Sequence, residues 1–257
     1  MQDQTGYSAP ALEKGLDVLE TLAEVGTPMT MSEIADRLGR SRSEIFRMIH
    51  VLIARGYIVR EPVGDTLSLG SRLLSLAIRT PGTRDLVAVA TPVITRLAQE
   101  IGQTVHLVVP NHGETVVIAA VSGSTDMNFS LKLGYRRPLV DSHSGLLLLA
   151  FQPRRAREAM MAESLALVRD HPARRSLDVE LDTVLRDGFV ARDSRDVVGI
   201  TDYSMPVLDA GRAIAAINVS YVKRIGTVPP NDTILARLGP ACHEVSTSVE
   251  ANELPAV

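Results

Sequence analysis

The stretch "GRSRSEIFRMIHVLIARGYI", Gly39 to Ile58, decides the fold of the N-terminal part of this chain. Ser41 and Glu44 have the spacing of a capping box, so the sequence predicts a helix that begins just after Ser41. Gly56 is predicted to end it. Four apolar residues recur between these ends at the helical period and give the helix one buried side: Ile45, Met48, Ile49 and Leu52.

The segments on either side of this helix predict a winged helix-turn-helix over residues 1–70. "PALEKGLDVLETLAEVG" favours a first helix, whose apolar side holds Leu12, Leu16, Val18, Leu19 and Leu22. "TMSEIADRLG" favours a second helix, with a capping box from Thr30 and Glu33 and a glycine end at Gly39. "YIVREPVGDTLSLG" predicts two strands around a turn at Gly64-Asp65. Two short helices, a tight turn and a hairpin wing are typical of DNA-binding proteins.

The charge of this segment supports contact with nucleic acid. Between residues 37 and 60 the only acid is Glu44, so the segment carries +5 in a chain whose net charge is −3. Its six arginines are Arg37, Arg40, Arg42, Arg47, Arg55 and Arg60. A helix N-terminus attracts phosphate through its free amides and its dipole, and arginine matches guanine O6 and N7. We therefore predict that Ser41, Arg42, Ser43 and Arg47 contact double-stranded DNA. One alternative is that the arginines only solvate the helix, and another is a helix-turn-helix that binds a protein and no DNA.

The remainder of the chain predicts a second domain over residues 85–257, joined by a linker helix at 71–84. Helical and strand-like segments are mixed in it, and "GITDYSMPVLD" with "GRAIAAINVSYV" favours a hairpin of buried strands. The expected fold class is therefore α+β, with a central antiparallel sheet in the second domain.

Composition limits the other classes of function. A single cysteine, Cys242, permits no disulfide within the chain and favours a reducing cytoplasm. The N-terminus lacks the pattern of a signal peptide, and the apolar run at 145–151 is too short to span a bilayer. The six histidines show no metal-ligand spacing, and the "SHSG" segment at 142–145 lacks the Gly-x-Ser-x-Gly frame of a nucleophile elbow. We expect no cofactor, no metal and no catalytic residue.

Taken together, these segments resemble the IclR family of bacterial transcriptional regulators. The resemblance covers residues 9–250 and includes "LGYRRPLVDSHSGLLLLA", "LRDGFVARDSRDVVGI" and "PVLDAGRAIAAINVS". It implies a winged helix-turn-helix followed by a GAF-like α/β effector-binding domain, assembled as a homodimer or homotetramer. It also implies that Arg60, in the wing, joins the DNA-binding residues.

The resemblance further implies an effector cavity formed by three segments. By matching motif, the predicted effector-binding residues are His143, Ser144, Arg192, Asp202, Asn218 and Ser220. Such polar groups need partners when buried, so a sugar acid or a hydroxylated organic or aromatic acid is expected as the ligand. Arg192 would bind its carboxylate. The alternatives are that Arg192 and Asp202 pair with each other or point outward.

The family implies a repressor of a catabolic operon that the effector releases, and activation remains an alternative. A third possibility is a metal or catalytic site that uses His143 and Asp202. The sequence identifies neither the effector nor the operator, and it does not decide between dimer and tetramer.

Overall fold

The computed structural model of the chain describes residues 9–62, 64–73, 76, 83–124, 128–169, 174–223 and 231–252. They fall into two compact units, Met1–Arg84 and Asp85–Val257. Residues 71–73 and 76 are helical, but residues 74–75 and 77–82 lie outside the described part of the chain. The linker helix and the exact domain limits therefore stay predictions.

The first unit has the element order of a winged helix-turn-helix. In chain order its elements are α1 (Pro10–Val25), β1 (Met29–Thr30), α2 (Met31–Arg37), α3 (Arg42–Ala54), β2 (Ile58–Arg60) and β3 (Thr66–Leu69). The strands form an antiparallel sheet in the order β1-β3-β2. The sequence did not indicate β1, because two residues carry no periodicity; Met29 is paired with Leu67 by the fold.

Both capping boxes are present and set the starts of α2 and α3. Thr30 Oγ1 accepts from the Glu33 amide at 3.3 Å, and the Glu33 carboxylate accepts from the Thr30 amide at 2.7 Å. The same exchange joins Ser41 and Glu44, at 3.4 and 2.9 Å. Each box satisfies backbone donors that a helix N-terminus otherwise leaves unpaired. Gly39, with φ of +62°, ends α2 and lets α3 begin three residues later, at Arg42.

The buried side of α1 differs from the predicted stripe. Val18 and Leu22 are buried, but Leu12 and Leu16 are exposed. Gly15 faces α3 closely, since a Cβ built there would lie 4.0 Å from Met48 Cβ. The buried side is therefore centred on Gly15, Val18 and Leu22, and Leu12 and Leu16 fall outside it.

The second unit contains one six-stranded antiparallel sheet and five helices in its described residues. Its elements are α4 (Thr83–Ile101), β4 (Thr104–Asn111), β5 (Glu114–Val121), β6 (Arg136–Pro138), a 3-10 turn (Leu139–Asp141), α5 (His143–Ala150), α6 (Arg154–Leu165), α7 (Arg174–Asp187), β7 (Val190–Asp193), β8 (Ile200–Asp209), β9 (Arg212–Val222) and α8 (Asn231–Asn252). The strand order is β6-β5-β4-β9-β8-β7, which confirms the expected antiparallel sheet. The sequence analysis did not identify β6 or α6.

Helices cover both faces of this sheet. Apolar residues of α4 and α8 pack with one face of β4, β8 and β9. Apolar residues of α5, α6 and α7 form a second cluster with Leu139 and Val140 of the 3-10 turn, and Ala213 and Ala216 of β9 join it. Side chains alternate between the faces of a strand, so Tyr203, Ile217 and Val219 face the α4/α8 layer. Their neighbours Asp202, Asn218 and Ser220 face the opposite side.

Gly145 allows α5 to begin against the 3-10 turn. A Cβ built there would lie 2.5 Å from Leu139 Cα and closer still to the Leu139 carbonyl oxygen, both rigid backbone atoms. We expect Gly145→Ala to destabilise the second unit by about 3 kcal/mol, the upper end of overpacking costs.

The control is Gly102→Ala, where φ is +63° but no atom lies within 4 Å of the added Cβ. It should cost about 1 kcal/mol, from backbone strain alone. Denaturant unfolding followed by near-ultraviolet circular dichroism measures both, and equal costs would contradict the close approach.

Candidate functional site

The N-terminal half of α3 presents an exposed polar face. Ser41, Arg42, Ser43 and Arg47 are all exposed, as the sequence analysis requires of DNA-contacting residues. The Ser41 hydroxyl is already used within the protein: it lies 3.0 Å from Ser43 Oγ and 2.9 Å from a Glu44 carboxylate oxygen. Ser41 therefore shapes the start of the helix.

Three of the six arginines in this segment have carboxylate partners. Arg40 pairs with Asp17 at 2.9 Å, Arg37 with Glu24 at 3.9 Å, and Arg60 with Asp65. In the described part of the chain, no carboxylate lies within ion-pairing distance of the other three: Arg42, Arg47 and Arg55. Two of these three are on the predicted DNA-contacting face.

Glu44, the only acid of the segment, is held in place by local donors. The amide and hydroxyl of Ser41, then Lys14 at 3.1 Å, lower the pKa of Glu44 to about 2. Its charge is therefore directed at the helix start and at Lys14, and it leaves Arg42 and Arg47 unpaired.

Arg60 lies on β2 in the wing, where the resemblance placed it. Its guanidinium pairs with Asp65 at the tip of the same hairpin, and both side chains are largely exposed. An exposed pair of this kind is weak, so Arg60 can exchange Asp65 for a phosphate. Its DNA contact stays a prediction.

Phe46, which lies between Arg42 and Arg47, was not among the predicted site residues. Its side chain is 53% exposed. Its ring stacks on His50, with centroids 6.1 Å apart and planes 10° from parallel. Only its place outside the Ile45/Ile49 stripe indicated that this aromatic residue faces solvent.

A cavity of about 150 Å³ lies on the polar face of the sheet in the second unit. Five of the six predicted effector-binding residues line it: His143, Ser144, Asp202, Asn218 and Ser220. One wall is apolar and was not predicted; it contains Val108, Val117, Phe129, Leu131, Tyr135 and Val197. The cavity therefore has a hydrogen-bonding side and an apolar side.

A chain of hydrogen bonds connects the polar residues of β8 and β9. Ser204 Oγ lies 2.5 Å from Asn218 Oδ1, Asn218 Nδ2 donates to Ser220 Oγ at 3.4 Å, and Ser220 Oγ donates to Asp202 Oδ1 at 3.4 Å. The register explains the chain, because Ser204 is paired with Asn218 and Asp202 with Ser220. These hydrogen bonds hold Asp202 at one end of a row of polar side chains that runs from Ser204 through Asn218 and Ser220.

Burial raises the pKa of Asp202 above its usual range. The nearby His143 acts in the opposite direction, as do hydrogen bonds from Ser194, Ser220 and Asn218. Burial therefore disfavours the charged form of Asp202, and the hydrogen-bond donors around it partly offset that effect.

His143 begins α5 and is fixed by a backbone carbonyl. Its Nε2 lies 2.9 Å from the Asp193 oxygen, and since a carbonyl only accepts, we assign the proton to Nε2. Burial lowers the pKa of His143, and the charge of Arg195 acts in the same direction. The ring is therefore neutral at pH 7 and joins β7 to α5 at the edge of the cavity.

Arg192 does not line the cavity, contrary to expectation. Its guanidinium donates to Glu180 Oε1 at 2.7 Å, on α7. It does not pair with Asp202 either, although the two residues are register partners in β7 and β8. The long Arg192 side chain extends beyond its own strand, and its guanidinium therefore pairs with Glu180 and not with Asp202.

Two other arginines line the cavity instead. Arg195 donates to Glu180 at 3.0 Å and to the Val140 carbonyl at 3.2 Å. Arg137, on β6, pairs with Asp196, which follows β7. Strands β6 and β7 are the two edges of the sheet, so this ion pair joins the edges across the cavity. The motifs "LGYRRPL" and "RDSRD" contained both arginines, but sequence alone gave no means of choosing among neighbouring arginines.

The geometry gives no support to a metal or catalytic site at His143 and Asp202. No group of three or more potential metal ligands occurs among the residues that the structure describes. The Ser142 hydroxyl accepts from the Gly145 amide at 3.0 Å and caps α5. Ser142 therefore has a structural role, and His143 directs Nε2 at a carbonyl group.

A second buried histidine, His106 on β4, fastens a segment that borders the cavity. Its Nε2 accepts from the Leu131 amide at 3.0 Å. Burial lowers the pKa of His106 to about 4. A protonated ring cannot accept this hydrogen bond, so the attachment of Leu131 requires neutral His106.

This attachment should make the second unit sensitive to acid. Below pH 6.5 the unfolded chain protonates His106 while the folded chain does not, so stability should fall from about pH 6.5 down to about pH 4. In His106→Gln this fall should be smaller. It should not vanish, because the pKa of His143 is lowered as well.

The direct measurement is exchange of the Leu131 amide hydrogen. It should be protected in the parent protein above pH 5 and should lose protection near pH 4. The Val117 amide, which donates to the Tyr135 carbonyl at 3.0 Å, provides the control. If both amides lose protection together, His106 has no specific part.

Two segments of the chain match known protein domains. Residues 11–62 match the IclR helix-turn-helix domain, and residues 80–247 match the bacterial transcriptional regulator IclR C-terminal domain. The chain belongs to the IclR family of transcriptional regulators. It is therefore a DNA-binding regulator, and relatives of this kind are not enzymes.

Individual relatives agree over most of the chain. The HTH-type transcriptional repressor AllR of Escherichia coli K12 is 28% identical over 220 residues, which are 82% of this chain and 80% of AllR. An IclR homolog of Microbacterium hydrocarbonoxydans, in complex with 4-hydroxybenzoate, is 26% identical with a TM-score of 0.74, covering 94% of this chain and 99% of that one. The IclR protein of Thermotoga maritima, at 23% identity and a TM-score of 0.69, covers 93% and 98% and shares the fold. No helix in the described residues has the length and apolar character to cross a membrane.

Proposed function

We propose that this regulator is a cytoplasmic repressor of a catabolic operon and that a small hydroxylated organic acid releases it from DNA. The observation that supports it most is the cavity of about 150 Å³, whose polar side combines Asp202, Asn218 and Ser220 with two arginines. The relative from E. coli is a repressor, which favours repression over activation.

On DNA, α3 enters the major groove by its N-terminal half. Arg42 and Arg47 supply positive charge that no carboxylate in the described residues neutralises, and the first-turn amides and Ser43 receive a phosphate. Arg60 contacts the backbone from the wing. A homodimer, alone or paired into a tetramer, presents two such helices to half-sites one DNA turn or a multiple apart, so the operator is nearly palindromic.

Arg42→Ala and Arg47→Ala should each weaken operator binding about tenfold or more and reduce the slope of log affinity against log salt by about one. Titration of labelled operator DNA at several salt concentrations measures this. The control is Arg154→Ala, which removes a highly exposed arginine of α6 in the second unit and should leave both quantities unchanged. A helix-turn-helix that binds only protein would show no salt-dependent operator binding in any variant.

The volume and lining of the cavity indicate the size and chemistry of the effector. A cavity of 150 Å³ accommodates about one six-membered ring. The apolar wall with Phe129 and Tyr135 suits the face of a ring, and the row ending in Asp202 suits a hydroxyl group. These features favour a hydroxylated aromatic acid over a sugar acid, in line with the 4-hydroxybenzoate that the M. hydrocarbonoxydans homolog binds.

Arg137 is the proposed partner of the effector carboxylate. Its side chain is largely buried at the cavity wall, where it pairs with Asp196 and, at 3.6 Å, with Asp141. A ligand carboxylate competes with Asp196 for the same guanidinium. Arg192, which the sequence favoured for this role, remains bound to Glu180.

Calorimetric titration with 4-hydroxybenzoate, benzoate and gluconate tests this assignment. The compound that binds should lose about tenfold in affinity in Arg137→Gln, because a charge-assisted hydrogen bond contributes about 1.5–3 kcal/mol. Arg136→Gln is the control, since Arg136 pairs with Glu114 and does not line the cavity. Equal losses in the two variants would assign the carboxylate to another residue, and release of operator DNA by the bound compound would establish the direction of regulation.

A further inference from the structure

We propose that Phe46 recognises the 5-methyl group of a thymine in the operator and so determines part of its sequence. This inference rests on the proposed binding of α3 in the major groove. It extends that function, because it assigns base discrimination to a residue that carries no charge or hydrogen-bonding group.

The exposure of Phe46 is the first observation. A phenyl ring that is 53% exposed leaves apolar surface in water, and the neighbouring Ile45 and Ile49 form the buried side of the same helix without it. Packing within the unit therefore leaves about half of this aromatic ring available for contact with a partner.

The surroundings of Phe46 identify the partner. Residues four apart lie above one another on a helix, so Arg42, Phe46 and His50 form one line, with Arg47 beside it. Arg42 and Arg47 have no carboxylate within ion-pairing distance in the described structure. An apolar protein partner would bury these two charges without compensation, whereas DNA places phosphates around them and an apolar group in the middle of the groove.

The thymine methyl group is that apolar group. In the major groove it is the feature that distinguishes thymine through apolar contact, and phenylalanine is suited to it. His50 stacks on the Phe46 ring and restricts its orientation. One helical turn separates Arg42 from Phe46, about 6 Å along the axis. The thymine should therefore lie about two base pairs from the base or phosphate that Arg42 contacts.

The experiment removes one methyl group at a time from DNA. The full-length protein first selects its preferred duplex from a random library. Each thymine of that duplex is then replaced singly by uracil, which lacks only the 5-methyl group, and affinity is measured for the parent and for Phe46→Ala. One uracil position in each half-site should weaken the parent about fourfold, the effect of exposing one methyl group. The same position should have no effect in Phe46→Ala.

Two further variants keep the test decisive. Phe46→Leu retains an apolar contact, so it should keep part of the uracil effect even if Phe46→Ala folds poorly. Val51→Ala removes another exposed apolar residue of α3 and should retain the whole effect.

The outcomes separate this inference from the proposed function. A preferred duplex whose affinity is insensitive to every uracil, or a uracil effect of equal size in the parent and Phe46→Ala, overturns the role of Phe46 and leaves DNA binding intact. Failure to select any duplex, together with binding that does not respond to salt, overturns the proposed function and this inference together.

Discussion

The two-residue period of β8 and β9 is the constraint on which the second unit depends. On each strand, the residues that face α4 and α8 are apolar, and the residues between them include Asp202, Ser204, Asn218 and Ser220. Because the pairing register aligns Asp202 with Ser220 and Ser204 with Asn218, the polar residues form a connected row. A slip of one residue would turn this row into the apolar core and expose Tyr203 to the cavity. The same pairing therefore fixes the core and the site.

The elements that sequence could predict are those with a local signal. The two capping boxes, the glycine ends at Gly39 and Gly56, and the strands β8 and β9 depend on residues a few positions apart. β1 and β6 are only two and three residues long, and their strand conformation comes from partners far along the chain, such as Leu67 for Met29. The exposure of Leu12 and Leu16 has the same origin, because the direction from which α3 approaches Gly15 is a tertiary property.

The site shows the same division between local and distant causes. Short side chains at Asn218 and Ser220 lie where their strand places them, so a motif that identifies the strand also identifies the cavity wall. The charged end of a long side chain lies several ångströms from its strand, and its position depends on which partner is within reach. Arg192 extends to Glu180, and Glu180 belongs to a helix whose position no local pattern gives. The sequence therefore predicted one arginine at the cavity, Arg192, and gave no indication that Arg137 and Arg195 line it instead.

The ion pair between Arg137 and Asp196 gives the curled sheet a contact between its two edges. Arg137 is largely buried and Asp196 is 43% exposed, so water reaches one partner of the pair and weakens it, and the fold does not depend on it. Its geometry matters more than its strength. The large apolar clusters on both faces already fix the strands, so the pair can open without unfolding the unit. If a ligand carboxylate competes with Asp196 for Arg137, as proposed above, a pair on which the fold does not depend is suited to that exchange. The same pair is poorly suited to stabilising the fold of the second unit.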